Sequence, residues 1–208
     1  MKPFKLALFL CASLLSIGNI AAPTPAFAWT QMPTGTPAIP PAGFLGFCAK
    51  HLSECLSRSQ EPATVELTDE RSQAIEAVQA SINASITPRV DPAHVWDYST
   101  DGTGDCNKYA LTKRRELLAQ GFPRGAVLLA TATTERGEGH LVVVVRTDRG
   151  DLVLDNRVQR VVDWSVLPYH WVSVQSQQSP VRWVSILSQP IATADASKVI
   201  GSPVVQAR

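Results

Sequence analysis

The sequence has almost no excess of charge of either sign. Its 19 lysine and arginine residues nearly balance its 18 aspartate and glutamate residues, which gives a formal net charge of +1. A balanced and dispersed charge does not form the basic surface that binds nucleic acid, so we expect no nucleic-acid partner. The single basic cluster, Lys113-Arg114-Arg115, lies in a helical pattern, and we interpret it as a solvated helix face.

Long apolar runs are also missing beyond the first residues, so we expect no stable insertion into a membrane. The one clear run, Leu6 to Leu15, follows the basic start Met1 to Lys5 and precedes Ala26-Phe27-Ala28. This order of a charged start, an apolar centre and small residues is typical of a secretory signal peptide. The pattern predicts a signal peptide over residues 1–28, cleavage after Ala28 and a periplasmic or secreted protein.

Cysteine is scarce, and removal of the signal peptide leaves only Cys48, Cys55 and Cys106. An odd number in an exported chain indicates one disulfide and one free thiol. Because Cys48 and Cys55 are close in sequence, we expect them to form the disulfide and Cys106 to remain free. A zinc site made from Cys48, His51 and Cys55 is an alternative, but it lacks a fourth ligand nearby in sequence.

The remaining chain is long enough for one domain with a sizeable core. Residues 29–64 begin with a segment rich in proline, threonine and glycine, which predicts an extended arm that carries the Cys48/Cys55 loop. We expect the domain itself over residues 65–188. Residues 189–208 contain no aromatic side chain and are predicted to form a flexible tail.

Periodicity predicts helices first and strands afterwards. One amphipathic helix begins near Thr68 and ends before Pro88, and a second runs from about Asp105 to Gln120 with Gly121 at its end. The predicted strands are Ala126–Ala132, His140–Arg146, Asp151–Leu154, Tyr169–Gln175 and Val181–Leu187. This order predicts an α+β fold in which N-terminal helices pack on an antiparallel sheet.

The most informative motif is Gly102-Thr103-Gly104-Asp105-Cys106, which places a cysteine at the start of the second predicted helix. The partial positive charge of a helix N-terminus stabilises a thiolate, so Cys106 is a candidate nucleophile. His140 opens one predicted strand and Asp155 ends the next, and a turn at residues 148–150 would let the two face each other. A cysteine, a base and an orienting carboxylate are the parts of a thiol-dependent acyl-transfer site.

Together these motifs closely resemble the bacterial transglutaminase-like cysteine peptidases. The resemblance covers roughly residues 91–186, and its motifs are Gly-x-Gly-Asp-Cys106, Lys113-Arg114 with Leu117, Gly139-His140, Gly150-Asp151 and Leu154-Asp155-Asn156. This family is similar in fold to papain and transglutaminases, and it includes periplasmic proteases that cut adhesins from the cell surface. The resemblance implies an exported peptidase acting on a protein substrate, with Cys106 as nucleophile, His140 as base and Asp155 as orienting carboxylate.

The sequence departs from the adhesin-cleaving members beside the cysteine. In those members acidic residues flank the cysteine on both sides and bind calcium, whereas here Asp105 is followed, after Cys106, by Asn107 and Lys108. An amide is a weaker calcium ligand than a carboxylate, and a nearby ammonium group opposes a cation. We therefore expect no cofactor, with Asp105 at most a weak calcium ligand.

Two other functions use the same residues. A transglutaminase-like acyltransferase would resolve the acyl-enzyme with an amine instead of water, and a non-catalytic binding module would retain only the fold. The oxyanion would be bound by the backbone N–H of Cys106 and one group from the segment 96–98. His170 is a weaker candidate base because no carboxylate stands beside it. The remaining aromatic residues are interpreted as core or edge-strand packing; they are Trp96, Trp164, Tyr169, Trp171 and Trp183.

Overall fold

The computed structural model describes residues 30–55 and 62–187. The predicted signal peptide and the predicted tail from residue 189 lie outside these residues. The main element is an antiparallel sheet of seven strands: β1 Thr34–Ala38, β4 Val127–Thr133, β5 Gly139–Thr147, β6 Gly150–Leu154, β7 Val162–Asp163, β8 His170–Ser176 and β9 Ser179–Ile186. Across the sheet they lie in the order β1-β9-β8-β4-β5-β6-β7.

In the residues that the structure describes, a short 3₁₀ helix at Trp164–Val166 follows β7, and four α-helices and a small parallel pair of strands complete the fold. They are α1 Ala42–Lys50, α2 Leu52–Cys55, α3 Asp69–Ser85, β2 Thr87–Pro88, β3 Thr103–Gly104 and α4 Cys106–Ala119. The α+β class predicted from the sequence is confirmed. Within the described ranges, no helix combines the length and the apolar character needed to cross a membrane.

The two long helices begin and end where their sequence signals predict. Thr68 caps α3 by accepting a hydrogen bond from the Arg71 backbone N–H at 3.3 Å. The helix α4 ends before Gly121, whose φ of +82° is the left-handed conformation that favours glycine after a helix. The five predicted strands are likewise present, each within two residues of its expected limits.

Both faces of the sheet are buried, which explains the continuous apolar runs of its central strands. On one face the helices cover a core that includes Leu141, Val143 and Val145 from β5. On the other face, Val142 and Val144 pack in a second core with Trp164 and other aromatic residues. The sheet is therefore a rigid central layer, and side chains at the ends of β5 and β6 are fixed in position by it.

The segment expected to run as an extended arm differs from that expectation. It contributes β1, which pairs antiparallel with β9, and the helices α1 and α2. Phe44 and Phe47 on α1 are buried in the core beside Trp183. Proline and glycine suggested an irregular arm, but pairing with a distant strand overrides this local preference.

The interpretation of Lys113-Arg114-Arg115 as a solvated face is wrong for the first two residues. Lys113 is fully buried and Arg114 is 4% exposed, whereas Arg115 is exposed. Arg114 donates a hydrogen bond to Glu54 at 2.8 Å, and Lys113 donates one to the side chain of Gln79 at 2.8 Å. These acceptors come from α2 and α3, and they compensate for the burial of two cations.

Candidate active site

Cys106 is the first residue of α4 and follows a tight glycine turn. Gly102 has a φ of +72°, and a Cβ atom added at Gly104 would lie 2.6 Å from the Cβ of Lys108. Both positions therefore require glycine. Asp105 caps the helix by accepting hydrogen bonds from the backbone N–H groups of Asn107 and Lys108, so the cysteine occupies a fixed place at the positive end of the helix dipole.

His140 and Asp155 reach each other from neighbouring strands. His140 is the second residue of β5, and Asp155 immediately follows β6. The two strands pair with Val143 opposite Leu154, so the ring can reach back to the carboxylate at the end of the partner strand. The distance from His140 Nε2 to Asp155 Oδ1 is 2.8 Å, and both side chains are buried.

The carboxylate of Asp155 has further donors that hold it in place. The Tyr169 hydroxyl donates to its Oδ2 at 2.5 Å, and the Arg157 backbone N–H donates to its Oδ1 at 2.9 Å. Burial raises the pKa of Asp155, but the hydrogen bond and charge of His140 and the bonds from Tyr169 and Arg157 outweigh it. The pKa of Asp155 is therefore below its usual value, and the group is a carboxylate at neutral pH.

The electrostatics of His140 favour its charged form. Burial lowers the pKa of His140, but hydrogen bonding to Asp155 and Cys106, together with their charges, raises it to about 9. At neutral pH the ring is then an imidazolium between Asp155 and Cys106. An imidazolium in this place can stabilise a thiolate on one side and donate a proton to a departing group.

Cys106 and His140 share a cleft of about 380 Å³. The cleft is also lined by His94, Trp96, Asn107, Thr131, Ala132, Gly139 and Leu141. Cys106 is partly exposed and its thiol lies 3.9 Å from the side-chain oxygen of Asn107. His94 has a φ of +47°, an uncommon value for a residue other than glycine. The thiol is therefore accessible to a ligand of the size of a few amino acids.

The wall of the cleft opposite the sheet is held by α1 and α2. A Cβ atom added at Gly43 would lie 2.4 Å from the indole ring of Trp96, so the backbone of α1 packs directly on that ring. Asp97 lies 2.7 Å from the His51 ring and 3.2 Å from the Lys50 ammonium. Tyr98 donates a hydrogen bond to Glu54 at 3.2 Å. The three residues 96–98 are therefore each fixed by the first two helices.

The cysteines pair as predicted, because a disulfide joins Cys48 of α1 to Cys55 of α2. Their sulfur atoms are bonded to each other and are not available as thiolate ligands, so the alternative of a zinc site with His51 is excluded. In the described residues Cys106 is the free cysteine. The disulfide also keeps α2 beside α1, and thus keeps Glu54 beneath Tyr98.

The residues around Asp105 fit a calcium ion poorly. Its Oδ1 already accepts the two capping hydrogen bonds, and its Oδ2 accepts one from the Asn107 amide at 3.1 Å. Asn107 therefore presents a donor to this carboxylate, and the Lys108 ammonium is 3.8 Å from Asp91. Calcium needs several free oxygen ligands, so these side chains serve the helix cap and an ion pair instead.

Three residues that the sequence did not single out for the site lie close to it. Tyr169, interpreted as packing, is buried but also donates a hydrogen bond to the Asp155 carboxylate, while Gln79 donates to the backbone oxygen of Asp155 and accepts a hydrogen bond from Lys113. A tyrosine preceding a strand could have suggested a polar role for its hydroxyl. His170 is exposed, and the structure does not bring it to Cys106. The five aromatic residues that were interpreted as core or edge-strand packing are all buried.

We expect Cys106 to be the only thiol that iodoacetamide labels rapidly in the unreduced chain lacking residues 1–28, because the disulfide protects Cys48 and Cys55. Mass spectrometry of intact protein and peptides measures the labelling. Cys106→Ser is the control and should take up no label. Equal labelling of all three cysteines before reduction would contradict the pairing.

A cysteine-bearing helix packed on an antiparallel sheet is the architecture of the papain-like cysteine peptidases. The family model of the bacterial transglutaminase-like cysteine proteinases matches residues 34–190. The chain belongs to this family, and its resemblance on the sequence motifs is confirmed. The matched residues include β1 and α1.

Solved structures of Legionella pneumophila LapG are similar to this chain. One has 22% sequence identity and a TM-score of 0.46, and the match covers 54% of this chain and 66% of that protein. This chain therefore spans slightly less than two thirds of that protein's length. The calcium-bound form has 19% identity and a TM-score of 0.49, with 61% of this chain and 75% of that protein covered. A search of curated proteins finds no match.

Proposed function

We propose that this protein is an exported cysteine peptidase that hydrolyses amide bonds of a protein substrate through Cys106, His140 and Asp155. The observation that carries the proposal is the 2.8 Å contact between His140 and Asp155 in the cleft that also contains the free thiol of Cys106. Membership of a cysteine proteinase family supports the same reaction. The predicted signal peptide and the disulfide support an oxidising compartment outside the cytoplasm.

In the proposed reaction the Cys106 thiolate attacks the carbonyl carbon of the scissile amide bond. The oxyanion accepts hydrogen bonds from the backbone N–H of Cys106 and a donor of Trp96, the residue of segment 96–98 that lines the cleft. His140 gives its proton to the leaving amine, and the acyl group remains on the sulfur. His140 then takes a proton from water, whose oxygen attacks the carbonyl carbon of the acyl-enzyme; the C–S bond breaks, Cys106 leaves as the thiolate, and the acid product loses its remaining proton to solvent.

Asp155 serves as the group that orients the ring and stabilises its positive charge. Its bonds to Tyr169 and the Arg157 backbone hold the carboxylate, so that the ring keeps one edge towards the thiol. Transamidation differs from hydrolysis only in the acceptor of the acyl group. The open cleft and the partly exposed thiol admit water, which favours hydrolysis.

A peptide-library digest tests the proposal. The chain lacking residues 1–28 is incubated with peptides in H₂¹⁸O containing a biotinylated primary amine, and products are identified by mass spectrometry. Hydrolysis places ¹⁸O in new C-termini, whereas transamidation attaches the amine. Cleavage is expected for the wild type and must be missing for Cys106→Ala. Cleavage by both proteins would overturn the proposal, and amine attachment alone would assign the acyltransferase function.

We propose further that the chain works without calcium. Adding 1 mM calcium or a chelator is expected to leave both the melting temperature and the peptidase activity unchanged, because Asp105, Asn107 and Lys108 are already engaged by one another or by Asp91. A ligand at 100 times its dissociation constant would stabilise the fold by about 2.7 kcal/mol. A calcium-dependent rise of melting temperature by several degrees, measured by calorimetry, would contradict this prediction.

A further inference from the structure

A fully buried lysine lies behind the proposed triad. Lys113 is 0% exposed on α4, and its ammonium donates a hydrogen bond to the Gln79 side-chain oxygen at 2.8 Å. Gln79 is equally buried on α3. Its amide nitrogen donates to the backbone oxygens of Asp155 and Val158, both at 2.8 Å. A chain of hydrogen bonds therefore connects the lysine to the segment that carries the proposed orienting carboxylate.

Lys113 determines which atoms donate and which accept in this series of hydrogen bonds. An ammonium group can only donate hydrogen bonds, so the amide of Gln79 must turn its oxygen towards Lys113. The amide nitrogen then faces the two backbone oxygens, which can only accept. Without the ammonium, Gln79 could rotate its amide and lose the bonds to Asp155 and Val158. Asn83, one turn further along α3, donates to the same two oxygens at 3.3 and 3.0 Å, so this helix side holds the segment at two points.

The charge of Lys113 acts on the same site. The groups that face it are the carboxylate of Asp155 at the end of β6, the neutral amide of Gln79 from α3, and the ring of Tyr109 on its own helix, 5.8 Å from the ammonium. Burial lowers the pKa of Lys113 to about 7, while the charge of Asp155 acts to raise it. A positive charge behind the carboxylate therefore changes within the physiological pH range.

We infer that Lys113 is a positioning residue that acts through Gln79 to hold Asp155 in register with His140 and so sustains the reactive thiolate of Cys106. This inference rests on the proposed function, because it assigns a role relative to the same three residues. Lys113 does not line the cleft with the thiol and takes no part in bond making. Its effect is on the contact between Asp155 and His140, and through that ring on the reactivity of the Cys106 thiol.

The test is the rate of alkylation of Cys106 by iodoacetamide at several pH values in the wild type and in Lys113→Met, which keeps an unbranched apolar side chain one atom shorter and removes the ammonium. We expect the rate at pH 6 to fall about tenfold and the rate at pH 9.5 to change less than twofold, because high pH forms the thiolate without assistance. The matched control is Glu116→Gln on the exposed side of α4, which should leave both rates unchanged.

Gln79→Met removes the amide that connects Lys113 to the backbone of Asp155, and it should give the same dependence of the alkylation rate on pH. The double variant should lose no more than either single variant, because both substitutions remove one pathway. The single variant Gln79→Met also provides the comparison if Lys113→Met fails to fold, as judged by circular dichroism. A folded variant with wild-type rates at pH 6, or an equal loss at both pH values, would overturn the positioning role.

This experiment reports on the thiol and not on turnover, so the two proposals fail separately. If Lys113→Met is alkylated at wild-type rates while peptidase activity is lost in Cys106→Ala, only the role of Lys113 is wrong. Peptidase activity that survives in Cys106→Ala would remove the proposed function itself.

Discussion

Replacement of His140 by alanine is expected to reduce peptide cleavage by about a thousandfold or more. The ring is the only group within hydrogen-bond reach of Asp155 that also shares the cleft with Cys106 among the residues described, so no neighbour replaces its proton transfer. The measurement is kcat/KM on a peptide identified in the library digest. The variant should remain folded, since the lost contacts lie at the end of β5.

Asp155→Asn is expected to lower kcat/KM less than His140→Ala does, because an amide can still orient the ring but does not stabilise its charge. The matched control for the histidine is His170→Ala, which removes an exposed imidazole from β8 and should retain full activity. Full activity in either His140→Ala or Asp155→Asn would show that the proposed triad is wrong, whereas loss of activity in His170→Ala would reassign the base.

The second large effect concerns stability, and it arises at Glu54. This residue accepts hydrogen bonds from Arg114 at 2.8 Å and Arg124 at 3.0 Å. Burial raises the pKa of Glu54, but the charges and hydrogen bonds of both arginines outweigh it and keep the carboxyl ionised. Glu54→Met leaves the buried guanidinium of Arg114 without its counter-charge, and we expect a loss of about 3 kcal/mol in the free energy of unfolding.

Urea denaturation followed by circular dichroism measures this loss. Glu116→Met on the exposed side of α4 is the control and should change stability by less than about 0.5 kcal/mol. The pair Glu54→Met with Arg114→Met should recover much of the loss, because it removes the unpaired charge together with its partner. Glu54→Met as stable as the wild type would contradict this prediction and would mean that water or Tyr98 compensates the charge of Arg114.

Local signals in the sequence were sufficient for most of the fold. The cap at Thr68, Gly121 after α4 and the apolar strands around β5 each specify their elements within a few residues. The same holds for the approach of His140 and Asp155, because a short hairpin turn determines which strand ends meet. These features are determined by residues that are close in sequence, so they can be predicted from one sequence.

Long-range partners account for what the sequence did not predict. Arg114 was assigned to solvent because the carboxylate that compensates its burial lies 60 residues away, and Lys113 because Gln79 is 34 residues away. A basic cluster on a helix is normally solvated, and only the tertiary structure reveals buried acceptors. In the same way β1 has no strong strand signal of its own and exists because β9 pairs with it.

The pairing of β1 with β9 has a consequence for the order of folding. These strands are the first and the last of the sheet in sequence, so the loop that their contact closes spans nearly all of the described chain, and forming it costs the most conformational entropy. Phe44 of α1 packs against Trp96 at the cleft and against Trp183 of β9. During synthesis from the N-terminus, we therefore expect the packing of α1 to be completed only after β9 has been made, so that the wall of the cleft is the last part of the candidate active site to assemble.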